Sequence, residues 1–168
     1  MDIVFRNSKQ LPLATSLTAR KFGMDNIRVP ESAQLSSKLC MAILRHDNSE
    51  VKEFIRQGAL IDYQDEPDGW TPLIYSIYYG NRHAREILFS LDADINLTDF
   101  ANRTALMFAA IAGDSGLLKE LLQRGAKADA TDHQGKTALD FAREYRREEC
   151  VKFLENITKQ QHGNSKNV

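Results

Sequence analysis

Three five-residue stretches decide the fold: Gly69-Trp70-Thr71-Pro72-Leu73, Asn102-Arg103-Thr104-Ala105-Leu106 and Gly135-Lys136-Thr137-Ala138-Leu139. Their threonines stand at 71, 104 and 137, so the period is 33 residues twice over. Downstream the register holds: Ile87-Leu88-Phe89, Glu120-Leu121-Leu122 and Phe153-Leu154-Glu155 fall in one place of the period. Asp92-Ala93-Asp94-Ile95-Asn96 and Gly125-Ala126-Lys127-Ala128-Asp129 share another. A fixed period of this length marks units that bury their apolar faces only by stacking. A degenerate fourth copy precedes them, with Leu39, Ala42-Ile43, Val51, Phe54-Ile55 and Gly58-Ala59, and with Ser37 in the threonine place. Gly58 to Thr71 is 13 residues and Gly125 to Thr137 is 12, so one extra residue sits within 62–68. A longer or distorted loop is expected there.

Each unit reads as two helices. Thr71, Thr104 and Thr137 can cap a helix through the hydroxyl, and Pro72 suits a first turn, where its missing N–H is harmless. First helices are expected near 38–46, 72–79, 105–112 and 138–145, and second helices near 49–57, 82–91, 115–124 and 148–157. Gly80 and Gly113 supply the break between them. Gly69, Asn102 and Gly135 sit where the connecting loop needs a positive φ. Leu73, Leu106 and Leu139 should be buried in equivalent places, as should Tyr75, Phe108 and Phe141.

The period, the Thr-Pro-Leu turn and the Gly-Ala-Asp segment together resemble the ankyrin repeat, over roughly residues 34–157. The resemblance implies an all-α solenoid of about four helix-turn-helix repeats (34–65, 66–98, 99–131 and 132–157). An N-terminal arm, residues 1–33, is expected to be disordered or loosely docked, and residues 158–168 to form a flexible tail. The family usually places His after Thr-Pro-Leu, where it ties neighbouring loops together. This chain has Cys40, Ile74, Met107 and Asp140 there, so stacking is expected to lean on apolar contact. Leu88, Asp94 and Ile95 before Asn96 resemble an asparagine-hydroxylation site of animal ankyrin repeats; a plainer role is closing the hairpin loop. The charged last helix, with Arg147, Glu148, Glu149, Lys152 and Glu155, suits a terminal capping repeat.

The 168 residues carry 22 Lys plus Arg against 23 Asp plus Glu, a net charge of −1. That balance gives no footprint for nucleic acid or an anionic membrane. No run approaches the roughly 18–20 apolar residues of a membrane helix, and Leu11 to Ala14, broken by Pro12, is too short for a secretory core. Cys40 and Cys150 lack metal or disulfide spacing, so a reducing compartment is expected: the cytoplasm, with nucleus or a host cytosol left open. Phosphate loops, zinc motifs and nucleophile elbows are absent from the sequence, so neither an enzyme nor a cofactor is expected.

The resemblance implies protein recognition through the concave face and the loop tips, by a chain that is monomeric when free. Loop and helix-end positions without packing duty are Pro67, Asp68, Trp70, Tyr78 and Tyr79 in the second repeat. The third supplies Phe100, Arg103 and Ile111, and the fourth His133, Lys136 and Tyr145. Aromatic and Arg residues dominate interface hot spots. Trp70, the single tryptophan, stands at a loop position where core packing does not demand it. An adaptor or scaffold is the first reading, and a dedicated inhibitor that occludes an enzyme is the alternative.

Overall fold

The structure, a computed structural model, describes residues 30–164, with side chains through residue 159. Residues 1–29, most of the expected arm, and 165–168 lie outside the described residues. Eight helices follow in pairs: α1 Glu31–Leu44 and α2 Asn48–Arg56, α3 Pro72–Tyr78 and α4 Arg82–Ser90, α5 Ala105–Ala112 and α6 Ser115–Gln123, α7 Ala138–Glu144 and α8 Glu148–Asn164. Among the described residues no strand forms; the hairpin between α4 and α5 carries one isolated bridge, Thr98 to Thr104.

The caps act where the sequence puts them. Thr71, Thr104 and Thr137 accept at their hydroxyls from the backbone N–H of Ile74, Met107 and Asp140. The second helices are capped in the same way by Asp47, Asn81 and Asp114. Gly69, Asn102 and Gly135 take φ of 75°, 63° and 76°, the left-handed conformation that the hairpin requires. Asp140 closes a full capping box: its carboxylate accepts from the Thr137 hydroxyl at 2.6 Å and from the Thr137 N–H at 2.9 Å.

Two element boundaries differ from expectation. Helix α1 begins at Glu31, inside the span given to the arm and seven residues before the expected start at 38. Ser37 is therefore not a cap; it lies mid-helix, and Ala33, Ser36 and Cys40 are buried on the face that replaces a hairpin. At the other end α8 runs on to Asn164, past residue 157. With Leu154 buried and Thr158 bonded back to the Leu154 carbonyl, its turns continue beyond the repeat boundary.

One apolar core runs through all four pairs, from Leu39 and Ile43 to Cys150 and Leu154. First helices approach one another more closely than second helices do, which bends the stack so that the first helices line the inside of the curve. Leu73 and Leu106 are buried, at 2% and 1% exposure, but Leu139 is only half-buried. It falls in the last of the described repeats, with no further described repeat packed beyond it. Phe108 and Phe141 are buried as expected, while Tyr75 is half-buried.

Stacking is more polar than the missing histidines imply. The Phe100 N–H donates to the Asp68 carbonyl at 2.9 Å, and one period on the His133 N–H donates to Ala101 at 3.0 Å. Gln64 and Asn102 reach the carbonyls of Thr98 and Thr131, each at 2.6 Å. Asn81 donates to Ile43, and Arg147 to Ile111. Loop backbone and amide side chains thus take over the tying role.

Leu106→Ala should cost about 2–5 kcal/mol, as for other buried leucines, and Leu139→Ala clearly less. Urea unfolding of both variants checks the order; equal losses would contradict the asymmetry of the ends. A second expectation concerns acid. The Thr137 hydroxyl and N–H hold the Asp140 carboxyl below its ordinary 3.8. A depressed folded-state pKa contributes stability that is present above 3.8 and lost as pH falls through the folded value. Asp140→Asn should therefore flatten the acid limb of the stability–pH curve, measured by denaturant midpoints from pH 6 downward.

Candidate protein-binding face

Each hairpin is built on one aspartate. Asp99 donates its N–H to Arg103 O at 3.0 Å, while its carboxylate accepts from Ala101 N at 2.9 Å and Arg103 N at 2.7 Å. Asp132 repeats the arrangement with Lys136 O, Gln134 N and Lys136 N. Asp65 does so with Trp70 O and Trp70 N, five residues on rather than four. The extra residue thus lies in the tip Glu66-Pro67-Asp68, whose Glu66–Pro67 peptide is cis. Burial raises the Asp65 carboxyl above its ordinary 3.8, against the lowering effect of the Tyr75 hydroxyl and Trp70 N–H that bond to it.

The residue leaving each hairpin covers the ring that begins the next helix. Arg103 lies 4.9 Å over Phe108, and Lys136 lies 5.6 Å over Phe141. Trp70 holds the same place and meets Tyr75 edge-on at 5.4 Å. It also contacts Tyr78 at 4.7 Å, Phe108 of the next repeat at 5.3 Å, and Tyr79 at 6.5 Å. Trp70 is therefore packing, contrary to the reading of it as free of packing duty. It is half-buried against the core, and its indole N–H is buried with no acceptor among the described residues.

The other sequence candidates divide by exposure. Tyr78 is 55% exposed, Tyr79 38%, Phe100 49% and Tyr145 47%. Tyr79 stacks on Tyr75 at 5.9 Å, and Tyr78 meets Tyr79 edge-on at 5.1 Å. Phe100 joins from the hairpin tip, its ring lying over the Gly69 backbone so closely that a Cβ there would run into it. Pro67, Asp68 and His133 are exposed at the tips, and Ile111 is half-buried on α5.

Arg103 and Lys136 are committed within the chain. The Arg103 guanidinium grips the solvent-excluded Asp99 carboxylate through Nε and an NH2 nitrogen, both at 2.7 Å, so its first duty is the hairpin. Lys136 pairs with Glu144 at 2.6 Å, which raises its pKa. Asn96 bridges repeats, donating to Gly125 O and accepting from Lys127 N, each at 3.1 Å. Both cysteines are buried, and burial pushes the Cys40 and Cys150 thiols up, away from the reactive thiolate.

Residues 91–167 match the family model described as ankyrin repeats, in three copies. Residues 91–167 are thus ankyrin repeats. The chain is 28% identical to human Inversin over 122 residues, 73% of this chain and 12% of that protein. It is 36% identical over 93 residues to Inversin of Danio rerio, 55% of this chain and 9% of that protein. Dauer abnormal formation protein 25 of Caenorhabditis elegans is 34% identical over 94 residues, 55% of this chain and 24% of that protein. The chain thus spans about a tenth of the Inversins it matches. Ankyrin repeats are generic protein-interaction modules, and the fold is an interaction fold rather than a catalytic one.

Residue-by-residue reading passed over Met41, 46% exposed in the place that Tyr75, Phe108 and Phe141 occupy in the later ankyrin repeats. The signal was the period itself, counted back across the extra residue. It aligns Met41 with half-buried Tyr75 and buried Phe108 and Phe141 in one row of the first helices, flanked by Leu44, Tyr78 and Ile111. Among the described residues no cluster of metal-ligating side chains forms and no helix is long and apolar enough to cross a membrane.

Trp70→Ala should destabilise the array by about 2–3 kcal/mol, because three close ring contacts and half a side chain's burial are lost. Gly69→Ala should also destabilise, through its positive φ and the displaced Phe100 ring, by about 1–3 kcal/mol. Chemical denaturation checks both, and wild-type stability in either would contradict the packing described.

Proposed function

We propose that the array is a non-catalytic adaptor or scaffold, which takes a protein partner on its inner face and hairpin tips. The observation that carries this is the joined set of rings on the second repeat. Tyr78 and Tyr79 stand exposed around a packed Trp70, with Tyr145 exposed two repeats on. A contiguous apolar patch of this kind usually marks an interaction surface, and rigid aromatic side chains lose little entropy when they bind. Pro67, Asp68, Phe100, Ile111 and His133 extend the contact zone, while Arg103 and Lys136 contribute mainly by holding rings and turns in place.

A reducing compartment such as the cytoplasm fits two buried, unpaired thiols. The free chain is taken to be monomeric. The alternative, a dedicated inhibitor of an enzyme, uses the same face and differs in stoichiometry: one partner for an inhibitor, two bridged partners for an adaptor.

Tyr78→Ala combined with Tyr145→Ala should weaken binding of a partner recovered with the wild-type chain by about a hundredfold, or roughly 2.7 kcal/mol. Calorimetry measures the affinity, and unfolding in parallel should show a loss of no more than about 1–2 kcal/mol, the share of the Tyr78 ring contacts with Trp70 and Tyr79. Full affinity in the folded double variant would move the site off this face.

A further inference from the structure

The inner face has a candidate occupant within the chain. Residues 1–29 carry Ile3-Val4-Phe5, Leu11, Leu13, Leu17, Phe22, Met24 and Ile27, enough to present apolar side chains along their length. They also carry Arg6, Lys9, Arg20, Lys21 and Arg28 against Asp2 and Asp25, a net +3 in a chain whose total is −1. The described remainder of the chain is correspondingly acidic.

The point where that segment is attached lies beside the aromatic face. It joins α1 at Pro30, and the first turn of α1 places Ala33 against Tyr63 in a small cluster with Cys40, packed on Tyr75. Tyr75 stacks on Tyr79, so the attachment point borders the rings themselves. The neighbouring loop 62–68 is acidic, with Asp62 and Asp68 exposed and with Glu66 and Asp68 without an ion-pair partner among the described residues, although Lys38 and Arg45 flank Met41 on α1 itself. Ser36, inside α1, holds the place of Trp70, Arg103 and Lys136, so among the described residues Met41 has no equivalent cover. It is left 46% exposed at the near end of the row.

We propose that residues 1–29 dock in cis on this inner face, as a basic, apolar strap over Met41, Tyr78 and Ile111 that an outside partner must displace. Reach is ample, since 29 extended residues span up to about 95 Å. Tethering presents the strap at an effective concentration on the order of millimolar, so weak intrinsic affinity suffices for occupancy. Opposite charge between strap and hairpin tip adds a salt-sensitive attraction. The proposal rests on the inner face being the binding surface, and deepens that reading by naming what covers it.

The test uses the full chain carrying Ser16→Cys with a nitroxide label, which the two buried native cysteines leave as the accessible thiol. Paramagnetic broadening should cut the amide signals of Met41, Tyr78 and Ile111 by at least about twofold, while Glu86 and Lys119 on the outer helices stay sharp. Adding Leu11→Glu and Phe22→Glu to the same labelled chain should restore the lost intensity. Uniform broadening, none, or broadening that survives those substitutions would overturn the strap. So would broadening that passes to unlabelled chains in a mixed sample, which would assign the face to a second copy instead. Since the test needs no partner, failure of the strap leaves the affinity test of the inner face standing.

Discussion

The Asp99 carboxylate, fully withdrawn from solvent, is the constraint on which the central repeats depend. It accepts two backbone N–H groups of its own turn and a two-pronged Arg103, so every part of the hairpin answers to one side chain. Charge-assisted bonds of this kind are the strong ones, and a buried carboxylate stripped of them would be costly. The turn they fix brings the chain to Thr104 in extended geometry, ready to cap α5. From there the helix start, the facing of Leu106 into the core and the placement of Phe108 on the inner side follow in order. Asp65 and Asp132 set the same sequence of events in the repeats on either side.

The residue that follows this turn then decides the character of each repeat's inner surface. Arg103 and Lys136 lay cations over Phe108 and Phe141, and both rings are buried. Trp70 makes the equivalent cover from carbon, and it spans to the next repeat as well as its own. An indole cannot also grip a carboxylate as Arg103 does. Asp65 is instead shared between the backbone N–H of Trp70 and the Tyr75 hydroxyl, and Tyr75 stays half-buried. One substitution within a repeated frame thus turns a charged cover into an aromatic surface.

What could be read in the sequence was whatever the period enforces locally. The threonine caps, the positive φ at Gly69, Asn102 and Gly135, and most helix limits depend on a few neighbouring residues, and they stand where the spacing puts them. What could not be read depends on which surface meets which. Trp70 looked free because its hairpin position is exposed in general terms; only the rings of Tyr75, Tyr78 and Phe108 around it make it packing. Leu139 shares its place with Leu106, yet it lies in the last described repeat and stays half-buried. The early start of α1 was hidden because Ser37 occupies a capping place while Ala33 and Ser36 carry the burial that extends the helix. Loop ties were missed for a similar reason: Phe100 N to Asp68 O is a backbone bond, and no side chain announces it.

The inner face is consequently graded along the stack. In the first two repeats its rows hold Met41, Leu44, Tyr75, Tyr78 and Tyr79. By the last repeat Glu144 stands where Tyr78 did, tied to Lys136, and Arg143 is paired with Glu155. Exposed ion pairs of this sort contribute little to stability but keep an end repeat solvated. Exposed apolar side chains of this face, Met41, Tyr78 and Tyr79, lie mostly in the first two repeats, beside the acidic tip of 66–68, with Tyr145 the exception in the fourth. A ligand that satisfies both features must bring carbon to the rings and positive charge to the tip, which fixes its orientation along the face as well as its composition.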